Sequence, residues 1–169
     1  MPYSADDRYA MAVLDAVTSG IGYPGGWLHT DLRGNQLVYV VHAYNWTGLD
    51  VGYFGIYAAT YDEALDQAME IINGHMERIT QELVSDEEID EAKRLCVIMN
   101  ETQKQTNAAL SHDAAIPELY GLGYGYEDDY SARIKEVTKE DVLRVAQKYL
   151  KNPVTIIRRP NPDEHASAE

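Results

Sequence analysis

The chain has 169 residues, enough for one domain with a buried core, and its 45% hydrophobic and 25% charged residues are ordinary for a soluble globular protein. Its formal net charge of −14 excludes nucleic acid and anionic membrane surfaces as partners, because both bind basic surfaces. No apolar run approaches the roughly 18 residues of a membrane-spanning helix, so we expect a soluble protein with no membrane span.

The first third of the chain predicts one helix and a strand pair. Apolar residues recur at helical spacing over 6–19, and Gly20 provides a C-terminal stop. After a glycine-rich loop, residues 27–33 predict a short helical turn. Residues 38–47 and 52–60 are rich in Val, Ile and Tyr and are separated by a short connection, which predicts two antiparallel strands.

Two capping boxes mark the next helix starts. The segments 60–63 and 85–88 both place a hydroxyl residue three positions before a glutamate. In this pattern the hydroxyl accepts a first-turn amide, and the carboxylate reaches back to the cap residue. The apolar residues that follow predict helices that reach about residue 83 and about residue 109.

Three further helices are predicted in the last third of the chain. Residues 112–122 form the first, with a break or bend near Pro117 because proline removes a helical hydrogen bond. Residues 128–136 form a short one. The last is capped at Thr138 and runs to about Leu150.

The chain ends in an apolar segment and a polar one. Residues 153–159 predict a last strand, and residues 161–169 predict a polar tail that frays. We therefore expect a single domain over 1–160 followed by that tail.

The order of elements predicts the fold class. Strands and helices are segregated along the chain, which is typical of an α+β fold with an antiparallel sheet and helices packed on one face. Three strands make a thin sheet for so many helices, so we expect the domain to lack its first strand. An exposed sheet edge of this kind favours a homo-oligomer formed by pairing with another copy.

No local pattern predicts a metal site or a nucleophile. The five histidines stand in neither a His-x-x-Glu-His nor a His-Glu-x-x-His motif, whereas zinc needs three or four convergent ligands. No Gly-x-Ser-x-Gly motif is present, and Cys96 lies within an apolar helical segment that predicts burial. We expect no catalytic residue, no metal ligand and no cofactor in this chain.

Arg33 and Tyr39 are the candidate binding residues. Arginine offers a fixed, permanently charged set of donors and tyrosine a phenolic donor, so together they can hold a peptide carbonyl or an oxyanion. The alternative is that Arg33 pairs with Asp31 and that Tyr39 is an ordinary sheet aromatic. The chain is rich in tyrosine, with 13 Tyr against 1 Phe, which suits half-exposed strands, interfaces and peptide-binding grooves.

Several spaced blocks resemble the second domain of the insulinase/pitrilysin family of zinc metallopeptidases. The first block is Leu32-Arg33 followed by Leu37-Val38-Tyr39, a turn that leads into a strand. The later blocks follow in the family's order: Gly52-Tyr53-Phe54-Gly55-Ile56-Tyr57, Val84-Ser85-Asp86-Glu87-Glu88-Ile89-Asp90-Glu91-Ala92-Lys93, Tyr130-Ser131-Ala132-Arg133-Ile134-Lys135-Glu136-Val137-Thr138-Lys139-Glu140-Asp141-Val142 and Ala146-Gln147-Lys148-Tyr149-Leu150. The chain departs from the family pattern at Gly34-Asn35-Gln36, which is one residue short and has Gln36 where the family has glycine.

The resemblance implies a function for the chain. Proteases of this family are built from homologous α+β domains that close around a chamber, with zinc held in the first domain. The chain is then the non-catalytic C-terminal domain, and the substrate-binding arginine and tyrosine of the family fall on Arg33 and Tyr39. Its partners are a peptide substrate and a homologous catalytic domain or subunit, which holds the zinc. The parent is a bacterial metalloprotease of the cytoplasm or periplasm. The alternative is a proteolytically inactive domain of the same fold that serves assembly.

Overall fold

A computed structural model describes residues 1–159 of the chain. It contains a central helix, a two-stranded sheet and a set of covering helices. The helices are α1 (Asp7–Ser19), α2 (Gly26–Leu28), α3 (Leu65–Gln81), α4 (Asp86–Gln103), α5 (Asn107–Leu119), α6 (Tyr130–Glu136) and α7 (Lys139–Tyr149), and the strands are β1 (Val40–Thr47) and β2 (Gly52–Ala59).

Helix α1 is the centre of the domain, because eleven of its thirteen residues are buried. It packs against α4, α6, α7 and β1. Leu14 and Val13 are fully buried there, and burial of a side chain of this size contributes about 1.5–3 kcal/mol. The helix ends at Gly20, whose φ of 75° is left-handed and favours glycine. The predicted helix over 6–19 is confirmed.

The sheet is an antiparallel pair with helices on one side. β1 and β2 pair from Val40 opposite Ala59 to Thr47 opposite Gly52. The inner face buries Val41 and packs Ile56 against the π turn that follows α2 and against α3. This arrangement confirms the predicted α+β class with helices on one face of an antiparallel sheet.

The predicted last strand is not formed. Residues 153–159 are neither helix nor strand, and Val154 and Ile156 are 86% and 87% exposed. A groove of about 710 Å³ separates this segment from β2 and α3. An apolar segment becomes a strand only where a neighbouring strand takes its backbone hydrogen bonds, and within residues 1–159 the strand pairing is between β1 and β2 alone. The described sheet therefore has two strands.

One of the two predicted capping boxes is wrong. The hydroxyl of Thr60 donates to the carbonyl oxygen of Leu37 at 2.6 Å instead of capping a helix. The chain then makes a single 3₁₀ turn, Asp62–Ala64, before α3 begins. The box formed by Ser85 and Glu88 is confirmed, and α4 begins directly after it.

The boundaries of the next two helices also differ from the prediction. Helix α4 ends at Gln103, short of residue 109, and the side chain of Thr106 starts α5 by accepting from the amide of Ala109. Helix α5 includes Pro117 and runs on to Leu119, so the helix continues past the proline although Pro117 has no amide for a helical hydrogen bond. The predicted tail over 161–169 lies outside the described residues. None of the described helices has the length and apolar character needed to cross a membrane.

Candidate functional site

The candidate site begins with a π turn, His29–Arg33, that follows α2 directly. Leu28 and Leu32 are fully buried beneath it, and they anchor it against β1 and α3. The amide of Gly34 donates to the carbonyl oxygen of His29 at 3.1 Å, which closes the wide turn. A Cβ at Gly34 would collide with the backbone oxygen of Thr30, so the turn requires glycine at this position. Single π turns of this kind are frequent at functional sites.

The turn brings Arg33 to Tyr39. Nη1 of Arg33 donates to the backbone carbonyl oxygen of Tyr39 at 2.6 Å, and both residues are exposed. The Tyr39 ring is 70% exposed and meets Tyr61 edge-on, with ring centroids 6.3 Å apart. The two candidate residues therefore lie together, although their contact uses the backbone of Tyr39 and not its phenol.

The connection between the π turn and β1 is strained at one residue. Gln36 has φ of 60°, in the left-handed region that favours glycine. This is the position where the sequence departs from the family pattern, so the glycine of that pattern has a conformational reason. The hydroxyl of Tyr61 donates to the carbonyl oxygen of Gln36 at 3.2 Å, which helps to hold the connection in place.

Residues that are distant in sequence hold the π turn in place through contacts with α3 and α4. Asp31 does not pair with Arg33; its Oδ2 lies 2.8 Å from Nε2 of His75 on α3. The His75 ring packs on Trp27 with centroids 5.5 Å apart, and the Trp27 indole donates to Glu88 at 2.8 Å. Arg78 lies over the Trp27 ring, 3.9 Å from its centroid. These five residues tie the π turn to α3 and α4.

The electrostatics of this network favour a charged Glu88 and a neutral His29. Burial raises the pKa of Glu88, but hydrogen bonds from the Ser85 backbone, the Trp27 indole and the Ser85 hydroxyl more than offset it, so the pKa lies below its ordinary value. Burial lowers the pKa of His29, and the nearby Arg33 and His42 lower it further. Glu88 is therefore favoured as the charged acceptor of these hydrogen bonds, and the positive charge next to Tyr39 comes from Arg33.

The described residues do not form a zinc centre. No group of three His, Cys, Asp or Glu side chains comes together anywhere in residues 1–159. Asp31 and His75 approach each other, but two ligands do not make a zinc site.

The sequence indicated Arg33 and Tyr39 as candidates but did not indicate the residues that support the turn. Arg33 and Tyr39 are six positions apart, within one turn and its exit. Trp27 and Glu88 are 61 positions apart and Asp31 and His75 are 44 positions apart. The one local signal was Trp27 at the start of the predicted helical turn, and its position in the sequence does not indicate which residue it contacts.

Comparison with known proteins matches this architecture. The family model described as the peptidase M16 inactive domain matches residues 1–96. An uncharacterized zinc protease from Streptomyces coelicolor is 28% identical over 167 residues, which cover 95% of this chain and 35% of that protein. The chain thus spans about a third of the length of this curated relative.

Two solved structures share the fold of this chain. The inactive peptidase M16 domain from Pseudomonas fluorescens matches with a TM-score of 0.72 and 20% identity, over 89% of this chain and 36% of that chain. A chain of complex III2 from Candida albicans, with Inz-5 bound, matches with a TM-score of 0.73 and 17% identity, over 87% of this chain and 37% of that chain. The resemblance to the insulinase-type zinc metallopeptidases is confirmed, and because the family model matches more than half of its residues, the chain belongs to the peptidase M16 inactive-domain family.

Proposed function

We propose that this domain encloses the chamber of a zinc metalloendopeptidase and binds the backbone of the substrate peptide with Arg33 and Tyr39. The zinc and the catalytic residues belong to a homologous domain of the parent chain or to a partner subunit. The relative from Streptomyces, a zinc protease nearly three times as long as the matched region, supports a bacterial parent of this kind.

The observation that carries the proposal is the placement of Arg33. Its guanidinium lies at the exposed start of β1, on a turn anchored by two fully buried leucines. One Nη1 hydrogen bond to Tyr39 orients the guanidinium, and arginine has five N–H donors in a fixed plane. A peptide carbonyl can accept from this fork, and the exposed phenol of Tyr39 is a further donor at the start of β1.

The test uses the full-length parent enzyme and a fluorescence-quenched peptide library. We expect Arg33→Ala to lower kcat/KM by roughly 10- to 100-fold, as the loss of a charge-assisted hydrogen bond predicts, while the zinc content stays normal. Tyr39→Phe should have a smaller effect in the same direction. Matched controls are Arg94→Ala on α4 and Tyr124→Phe, both at exposed positions away from the site. Unchanged turnover in an Arg33→Ala, Tyr39→Phe double variant would refute the role of the pair.

The second candidate function is a proteolytically inactive domain that serves assembly. The shared fold with a chain of complex III2 supports this candidate, as does the two-stranded sheet, whose edges can pair with a strand of another subunit or another copy. The two functions make different predictions for the full-length parent. A peptidase binds zinc and cleaves peptides, whereas an assembly protein does neither and is isolated in a complex of defined size.

A further inference from the structure

We propose that the open face of the β1–β2 hairpin binds the side chains of an extended substrate segment that is rich in large apolar or aromatic residues and free of acidic ones. This inference rests on the proposed function and adds a substrate class to it. We call the surface the aromatic face. It consists of the residues that point away from the helices: Val40, His42, Tyr44, Trp46, Tyr53, Gly55, Tyr57 and Ala59.

The aromatic face follows from strand alternation. Successive side chains of a strand point to opposite faces, and Val41 and Ala43 of β1 are buried against the helices. Their neighbours on the other side carry the large rings. Tyr44, Trp46 and Tyr53 are 48%, 53% and 60% exposed, and Tyr57 is 53% exposed. Large rings are normally placed where their area is buried, so four half-exposed rings on one face indicate a binding surface.

The charge of this face differs from that of the whole chain. The molecule carries 28 acidic residues and a net charge of −14, yet none of the eight residues of the aromatic face is acidic. An apolar segment can therefore dock without stripping water from a carboxylate. An acidic segment would be repelled by the field of the surrounding chain, whereas a neutral or basic one would not.

Gly55 forms a notch in the middle of the aromatic face. It lies between Tyr53 and Tyr57 along β2 and opposite Tyr44 on β1. A Cβ built at Gly55 meets only the Tyr53 ring, at the van der Waals distance of 3.6 Å, so Tyr53 borders the notch on one side and the other sides are open. The rings of Tyr44, Tyr53 and Tyr57 thus surround a position that has no side chain. A Leu or Phe side chain placed there gains edge and face contacts with aromatic rings.

The spacing of the face suits an extended peptide. Side chains on the same face of a strand are about 6.6–7 Å apart. An extended substrate therefore has the same side-chain spacing as the outward-facing residues of β2. With one side chain in the Gly55 notch, the next on the same side reaches the stacked pair of Trp46 and Tyr53, whose centroids are 5.8 Å apart. Tyr39 directly precedes β1, and Arg33 contacts its carbonyl oxygen, so the Arg33 site lies next to the Val40 end of the hairpin.

The size of the face argues against a stable dimer. At about half exposure each, its four large rings offer about 400 Å². A standard protein–protein interface needs about 800 Å² from each partner. The available area therefore matches a few residues of extended peptide.

The test compares peptides that differ at one position. The full-length parent is given a quenched Ala/Ser/Gly peptide in which a single position is Phe, Leu, Ala or Asp. We expect the kcat/KM ratio of the Phe peptide to the Asp peptide to be well above one. Gly55→Val fills the notch with a residue that strands tolerate, and Tyr57→Ser removes one wall. Each should lower that ratio about tenfold.

The controls separate this inference from the proposed function. Tyr124→Ser, at a tyrosine 75% exposed away from the face, should leave the ratio unchanged, and thermal melting should show each variant folded. If Arg33→Ala lowers turnover of every peptide but the two face variants leave the Phe-to-Asp ratio intact, the inference is wrong and the proposed function stands. If the face variants shift the ratio and Arg33→Ala does nothing, the peptide-backbone role of Arg33 fails instead. A change of oligomeric state in Trp46→Ser, measured by sedimentation, would overturn the inference by making this face an interface between copies.

Discussion

The carboxylate of Asp31 and the imidazole of His75, 44 residues apart in the chain, lie 2.8 Å apart and join the π turn to helix α3. The His75 side chain is 13% exposed and the Asp31 side chain is 47% exposed, so the contact is shielded from water on the His75 side. Because Arg33 is the last residue of the same π turn, the Asp31–His75 contact helps to fix where the guanidinium lies.

Removing His75 should loosen the turn without touching the proposed peptide-binding residues. His75→Ala loses the bond to Asp31 and the packing on Trp27, and we expect it to cost about 1–2 kcal/mol of stability and to lower the Tm by a few degrees. Hydrogen exchange at the Gly34 amide, which closes the π turn, should speed up more than exchange in α7. The matched control is His112→Ala at an exposed position of α5. Equal exchange at Gly34 in both variants would show that His75 does not support the turn.

Gln36 should be a site of easy stabilisation. Its left-handed φ of 60° costs a residue with a Cβ about 1 kcal/mol, which glycine avoids. We expect Gln36→Gly to raise the free energy of unfolding by about 0.5–1 kcal/mol and Gln36→Val to lower it, as measured by urea denaturation. Gln67→Gly, at an exposed position within α3, is the control and should destabilise by about 1 kcal/mol. A loss of stability in Gln36→Gly similar to that of the control would contradict the strain.

The local elements could be predicted from the sequence because their causes are local. The capping box of Ser85 uses two residues three positions apart, and both its bonds are formed. The same pattern failed at Thr60, because the nearby carbonyl of Leu37 competes for the hydroxyl through a contact 23 residues away. The segment 153–159 failed for a related reason, since apolar character does not provide a strand partner.

In the candidate site, too, the contacts between residues close in sequence could be predicted and those between distant residues could not. The nearness of Arg33 to Tyr39 could be predicted because six residues and one turn separate them. The network that includes Trp27 and Glu88 depends on how α4 packs beside the turn, and no spacing rule gives that. The aromatic face was visible only as an excess of tyrosine until the register placed Tyr44 opposite Gly55.

Glu127 should be essential for stability. It accepts from Arg8 at 2.6 and 3.1 Å and from the hydroxyl of Tyr3, and Arg8 and Glu127 are 8% and 7% exposed. Glu127→Ala leaves a buried guanidinium without its counter-charge, and we expect a loss of about 3–5 kcal/mol in urea denaturation. The double variant Arg8→Met, Glu127→Leu should recover much of that loss, because it removes both charges. Equal destabilisation of the single and double variants would contradict this account.

The stability of the domain should fall in acid partly through Asp7. Burial opposes ionisation of this carboxyl, but hydrogen bonds from Lys148, Arg144 and Tyr149 lower its pKa far below the ordinary value. The unfolded chain therefore takes up this proton first as the pH falls. The contribution of Asp7 is complete above its unfolded pKa of about 4 and is lost as the pH drops below that value. Asp7→Asn should lower the free energy of unfolding at pH 7 and should flatten its decline between about pH 4 and pH 2.

The control for this prediction is Asp50→Asn, at an exposed position in the turn between β1 and β2. Asp7 ties the start of α1 to α7 through donors 2.6 to 2.8 Å away, and no such hydrogen bonds reach the Asp50 side chain from residues 1–159. Urea denaturation of wild type and both variants at a series of pH values measures the difference. The wild-type and Asp50→Asn curves should run parallel, while the Asp7→Asn curve should approach the wild-type curve as the pH falls, because protonation removes in the wild type what the substitution removes at every pH. A constant gap between wild type and Asp7→Asn down to pH 2 would show that the effect of the substitution is one of packing and not of charge.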